Sequence, residues 1–213
     1  MKTKPLMVIF IGNMVLNFLL TGCVTVDRIY PEKQFFVLNA SRNEKTSASE
    51  SNAVLKIQRF HVASRFEGNG FVYRLGDLKY ESDFYNEFLI SPGVMITEEV
   101  NKWLTQSGLF QHVISSSSLI EPTFYLEGVV SALYGDYRSN HSPEAILEVQ
   151  FFLVRNVSGR PIVVFSKTYF QKTALKEKSP AALAEGWSRS LEHILSQLEA
   201  SLKTCELKGG KTQ

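Results

Sequence analysis

The sequence predicts an α+β fold, a two-layer sandwich with a mostly antiparallel sheet and two main helices packed on one face. Two observations carry this expectation. Ser91-Pro92 and Ser179-Pro180 each precede an apolar stripe at helical spacing, and Ser at the N-cap with Pro in the first helical position starts a helix. Around these stripes lie short segments of alternating apolar and polar residues, in a chain with 15 Phe and 8 Tyr. Aromatic residues suit a pleated, half-buried surface. The order strands, helix, strands, helix buries one helix stripe after another against one sheet.

The chain opens with a segment outside that domain. Lys2 and Lys4 precede an apolar run from Leu6 to Leu20, which ends in Leu20-Thr21-Gly22-Cys23. The run is broken by Gly12, Asn13 and Asn17 and falls short of the roughly 20 apolar residues of a spanning helix. A basic start, a short apolar stretch and small residues before a cut site describe an export signal. The last four residues resemble the bacterial lipobox, in which cleavage leaves the Cys as the first residue and its sulfur takes a diacylglycerol. The competing readings are a retained membrane helix and an ordinary signal with a chance Cys. Residues 1–22 are therefore expected to be a lipoprotein signal peptide, with Leu20, Thr21 and Gly22 as the lipobox. Cys23 is expected to carry S-diacylglycerol and N-acyl chains, two signals being what a stable anchor needs. Val24 stands where Asp would favour the inner membrane, so the expected location is the periplasmic face of the outer membrane.

Removal of residues 1–22 leaves 191 of the 213 residues, and loss of Lys2 and Lys4 takes the formal charge from +2 to zero. A neutral exported chain is not a polyanion binder by bulk charge, and no nucleic-acid partner is expected. With Cys23 consumed, Cys205 has no partner for a disulfide and reads as an incidental thiol on a frayed tail.

The elements follow in order. Residues 23–33 form the lipidated tether, 34–204 the folded domain and 205–213 a flexible tail. Gln34 to Leu38 is a first strand, and the Ser-, Asn- and Lys-rich stretch Asn39 to Asn52 is a loop. Leu55 to Gln58 starts a second strand. Gly68-Asn69-Gly70 turns between Phe66 and Phe71–Leu75, and Gly76-Asp77 then turns into Leu78–Glu81, a hairpin pattern. The first helix carries Ile96, Val100, Trp103 and Leu104 on one face and ends at Gly108. Phe110 and Val113 lead into a short strand. A three-strand meander follows, its first strand aligning Phe124, Leu126, Gly128, Val130, Ala132 and Tyr134 and its second Ala145, Leu147, Val149, Phe151 and Leu153. In the third, Pro161 to Lys172, Ile162, Val164 and Phe170 share a face with Ser166 and Thr168, so its apolar face is less clean. Leu183, Trp187, Leu191, Ile194, Leu198 and Leu202 make the stripe of the second helix.

Catalytic and metal-binding patterns are weak. His61, His112, His141 and His193 have no metal-ligand spacing, and no CxxC is present. Gly186-Trp187-Ser188-Arg189-Ser190 brushes against GxSxG but lies within a helix, whereas a nucleophile elbow needs a strand-to-helix turn. A hydrolase built on Ser188, Asp136 and His141 is the weakest function class. Asp136 to His141 reads as a polar connection between good strands.

The ordered set of these features resembles the ABC-type transport auxiliary lipoprotein family, whose members include the lipoprotein component of paraquat-inducible operons. The marks are Phe36-Val37-Leu38, Phe71-Val72-Tyr73-Arg74, Tyr80 to Tyr85 ahead of Ser91-Pro92, Trp103-Leu104, and Ser107-Gly108-Leu109-Phe110 with Val113. Phe88 departs from the pattern, since related sequences often carry Trp there. The resemblance marks Tyr73, Arg74, Tyr85, Pro92, Trp103, Gly108 and Phe110 as structural positions. It implies a non-catalytic accessory without cofactor or metal. Its partners would be a mammalian-cell-entry (MCE) domain protein and an inner-membrane permease of the same system, with homo-oligomerisation and lipid transport between the membranes. A structural or assembly lipoprotein of another envelope or secretion complex is the alternative, because one fold serves many functions.

Overall fold

The computed structural model describes residues 31–42, 51–157 and 159–205. Leu20, Thr21, Gly22 and Cys23 lie outside the described residues. In chain order the elements are β1 (Gln34–Phe36), β2 (Val54–Ile57), β3 (His61–Val62), a 3-10 turn (Ser64–Phe66), β4 (Gly70–Arg74), β5 (Tyr80–Phe88), α1 (Pro92–Ser107), β6 (His112–Ser115), β7 (Phe124–Asp136), β8 (Glu144–Val157), β9 (Arg160–Ala174) and α2 (Pro180–Lys203).

Strand β7 is the axis of a nine-stranded mixed sheet. On one side it pairs antiparallel with β8 from Phe124–Arg155 to Asp136–Glu144. On the other side three upstream strands follow one another along it in parallel. Leu55 lies opposite Phe124, His61 opposite Val129 and Tyr73 opposite Gly135. The β1–β5 and β2–β6 pairs are also parallel, while β4–β5 and β8–β9 are antiparallel. Five of eight strand pairings are thus parallel, which corrects the expectation of a mostly antiparallel sheet. Alternation along a strand fixes which face is apolar but carries no information about the direction of its neighbour.

Two face assignments also change. The β7–β8 register shifts between Val130 and Ala132, a bulge that inserts one residue and reverses the alternation beyond it. Phe124, Leu126 and Val130 face the helices before the bulge, and Leu133 and Gly135 face them after it. Tyr134, expected with the first set, lies on the opposite face and stacks on Phe66 at a centroid distance of 5.7 Å. Ala132 stands opposite Glu148, off the helix-facing Leu147–Val149 row. In β9 the expected apolar face of Ile162, Val164 and Phe170 is exposed. The buried side is carried by Tyr169, whose ring packs edge-on against Phe151 and whose hydroxyl donates to Ser201 Oγ of α2 at 2.9 Å.

Both helices form where their stripes and caps predict. Ser179 Oγ accepts from the Ala182 amide at 3.2 Å, satisfying one of the orphan donors of the first turn. Ser91 occupies the corresponding position of α1 but caps no amide, its Oγ accepting from Arg59 Nη2 at 3.2 Å instead. Gly108 ends α1 with φ of 69°, a left-handed conformation that costs glycine nothing. All six stripe residues of α2 are buried. Trp187 is the centre of the core: Phe71 meets it edge-on at 4.9 Å, Phe88 lies at 5.3 Å, and its Nε1 donates to Ile146 O at 3.2 Å. Phe88, the departure from the resembled pattern, is therefore a packed core ring.

Candidate functional site

The seven marked positions serve turns, caps and packing, and do not converge on one site. Tyr73 donates its hydroxyl to Asp83 Oδ2 at 2.8 Å and stacks on Tyr137 at 5.0 Å. Burial, then the Asp83 hydrogen bond and charge, push the Tyr73 phenol well above its ordinary range. Arg74 Nε donates to Gly76 O at 3.2 Å across the β4–β5 turn. Tyr85 donates its amide to Asp83 Oδ1 at 2.8 Å. Pro92 and Gly108 bound α1, and Phe110 is buried edge-on to Phe124.

Trp103 leads to a charged cluster that the sequence did not announce. Its Nε1 donates to Glu199 Oε2 at 2.9 Å, in the space between α1 and α2. The same carboxylate takes two bonds from Arg42, each 3.0 Å, and one from Lys203 at 2.9 Å. Burial by itself would raise the Glu199 pKa, but the hydrogen bonds from Arg42, Lys203 and Trp103 outweigh it and hold the carboxyl at about 2. This cluster fastens the segment after β1 to both helices and lines a polar recess of about 320 Å³ with His193 and Ser196.

A second charged group closes the end of the sheet where β4 and β7 finish. Arg138 Nη2 pairs with the buried Asp136 at 2.7 Å, and its Nη1 reaches Asp77 at 3.2 Å. Burial raises Asp136, yet the Arg138 hydrogen bonds prevail and its pKa is lowered. Burial pushes the adjoining Tyr137 phenol up to about 12. Asp136 is thus a structural anchor inside the connection that reads as merely polar.

The larger opening is a cleft of about 450 Å³ between α1 and the ends of β2 and β6. Those two strands run parallel and finish together, Ile57 standing opposite Ser115. A crevice beyond the carboxyl ends of parallel strands is a common ligand position. Ile57 and Val94 supply apolar wall, while Arg59, Thr97, Lys102 and Ser115 supply the polar rim. Thr97 Oγ1 donates to Gly93 O at 2.6 Å and accepts from the Phe60 amide at 2.9 Å, so the wall is tied to the strand segment beside it. An apolar floor with a few polar groups can hold a small amphiphile or a side chain of a partner.

Residues of the weakest function class are engaged elsewhere. Ser188 Oγ donates to Ala184 O at 2.8 Å and accepts from the Asn39 amide at 3.2 Å. Asp136 is held by Arg138, and His141 is exposed. No hydrogen bond among the described residues joins the three. Cys205 is half-buried, its Sγ donating to Ser201 O at 3.4 Å, and burial raises its thiol pKa. It therefore packs at the end of α2 instead of belonging to a free tail. Among the described residues no group of three His, Cys, Asp or Glu is placed to hold a metal ion. No helix among them is long and apolar enough to cross a membrane.

No family model and no curated protein matches the chain. Solved structures do match. A Xanthomonas campestris protein of the DUF330 family superposes with a TM-score of 0.70 at 17% identity, over 80% of this chain and 95% of that one. An uncharacterized protein gives 0.62 at 14% identity, over 80% and 99% of the two chains. The hypothetical protein CT253 from Chlamydia trachomatis gives 0.51 at 8% identity, over 71% and 98%. At these identities the shared property is the fold alone.

Proposed function

We propose that the protein is a lipid-anchored periplasmic lipoprotein, a non-catalytic accessory of an ABC/MCE-type transport system moving lipids between the inner and outer membranes. The observation that carries it is Leu20-Thr21-Gly22-Cys23 at the end of an apolar leader, followed by a single domain with the marks of the auxiliary lipoproteins. The DUF330 fold along 95% of the Xanthomonas chain is consistent with that reading. In it Cys23 supplies location, and the folded domain supplies surface: the cleft beside α1 and the exposed side of β9 are free to receive an MCE-domain protein or a second copy. Catalysis has no part.

The test is brief crosslinking in native membranes, solubilisation in mild detergent and identification of what co-purifies with the full-length protein. An MCE-domain protein with its permease is the expected result. Secretion or cell-wall components without an MCE protein would replace the transport role by the assembly role.

A further inference from the structure

Among the described residues β1, β6 and β9 each pair on one side only, and these edges differ in what they present and in where the chain enters. From β1 through β5, β4, β7 and β8 to β9 is five strand steps, about 24 Å at the usual spacing. The edge at β1 is where the tether enters, and it carries an apolar surface of its own.

Phe36 and Phe88 pair across β1 and β5 and turn into the core against Phe71 and Trp187. Alternation puts their neighbours on the other face. Phe35 and Val37 are 56% and 55% exposed, and Leu89, bonded through its amide to Phe36 O, is 58% exposed. Ile90 follows, also exposed. Phe84 completes the patch, with Lys33 Nζ 4.3 Å above its ring and 2.6 Å from Glu87. Apolar residues scattered singly need no explanation, but a contiguous set rimmed by charge marks an interaction surface. Leu78 and Leu119, fully exposed in turns far along the chain from one another, are the scattered kind.

The occupant follows from the position of Cys23. Gln34, where the first strand starts, is eleven positions beyond Cys23, so it lies within about 40 Å of that residue even at full extension. Phe35 and Val37 are the first exposed apolar side chains after the tether. Resting on the anchor reading above, we infer that the Phe35–Val37–Leu89–Ile90 surface seats the domain on the same bilayer that holds the acyl chains. The charged pair Lys33–Glu87 then lies at the headgroup level. The domain then has a fixed orientation, with the β1 end of the sheet at the membrane and β9 five strand steps from it. A single weakly apolar patch adds little by itself, and it acts here because the anchor has already brought it to the surface.

The experiment uses full-length lipidated protein in a Cys205→Ser background, reconstituted into phosphatidylethanolamine/phosphatidylglycerol vesicles. A spin label is placed at Val37→Cys, Leu89→Cys or Val163→Cys, the last on β9 and also exposed. Vesicle flotation is compared with that of Cys23→Ser. The expected result is flotation that depends on Cys23, with labels at 37 and 89 several-fold more accessible to oxygen than to a water-soluble nickel chelate and the label at 163 the reverse. Flotation that depends on Cys23 with all three labels in water overturns the seating and leaves the anchor standing. Failure of the wild-type protein to float, or flotation of Cys23→Ser to the same extent, overturns both.

Discussion

Replacing Gly186 by Ala separates two opposing effects inside α2. In a helix Ala is favoured over Gly by roughly 0.8–1.0 kcal/mol, so on propensity alone the substitution stabilises. The structure reverses the sign. A Cβ at Gly186 would stand 2.5 Å from Leu175 Cδ2 and 2.8 Å from Ala145 Cβ. The leucine methyl is the end of a flexible side chain and can rotate. Ala145 Cβ is fixed to β8, which has a strand on each side, so the helix itself must lift by at least about 0.6 Å to bring that 2.8 Å approach to the 3.4 Å of ordinary contact. Lifting draws Trp187, the next residue, away from Ile146 O and from the Phe71 and Phe88 rings. Overpacking of a tight core costs about 1–3 kcal/mol, and against the helix gain the balance is a net loss of about 0–2 kcal/mol. Urea denaturation followed by Trp fluorescence measures it. Ala145→Gly in the same chain removes the second Cβ, and the double variant should recover about 1 kcal/mol relative to the sum of the single changes. A Gly186→Ala protein more stable than wild type by the full helix propensity of about 0.8–1.0 kcal/mol refutes the close approach of α2 to β8.

Other perturbations follow from the same contacts. Glu199 is held at about 2 against an ordinary value near 4.5; its contribution is therefore complete above pH 4.5 and lost as pH falls from about 4.5 to about 2. Glu199→Gln should lower stability by about 3 kcal/mol at pH 7 and flatten the acid limb, read from urea midpoints at pH 6 and pH 3. Gly128→Ala would drive a Cβ to 2.3 Å from the Phe60 ring, which is itself packed edge-on against Phe151; with no helix propensity to offset it, a loss of about 1–3 kcal/mol is expected by the same assay. Gly108→Ala meets a φ of 69° at the end of α1, and a fall of about 1 kcal/mol in stability is expected, with Gly108→Asn costing less.

The helices were legible because their signals are local. Ser-Pro starts, a period near 3.6 and a terminal glycine all lie within one segment. The sheet was legible as a set of strands but not as a pairing. Leu55 to Ile57 gives no sign that its partner is Phe124 to Leu126, roughly 70 residues on, nor that it runs the same way. A single inserted residue at Ser131 moved Tyr134 to the other face, and nothing in the alternation of that strand marks it. Ile162, Val164 and Phe170 look like a core face, yet β9 turns Tyr169 inward instead. The cleft was invisible for a different reason. Arg59, Thr97 and Ser115 come from three separated segments and form no motif. Glu199 reads as one more charge on a helix, and only the approach of Arg42, from a loop that reads as plain polarity, makes it buried and paired.

The parallel run of β2, β3 and β4 along one side of β7 also sets the order in which the chain can fold. A chain made from its N-terminus delivers Val54 to Arg74 well before Phe124 to Asp136. The early strands must wait, edges open, for the partner that completes them, and pairings that distant in sequence form slowly. The C-terminal strands and α2, by contrast, are neighbours in sequence and can assemble as soon as they emerge. Nucleation therefore falls to the last third of the polypeptide, and the first third depends on being kept from self-association until then. Such a topology leaves the early strands unpaired for most of synthesis, and makes truncation after β6 far more damaging than its length suggests, because β7, the partner of β2, β3 and β4, is lost with it.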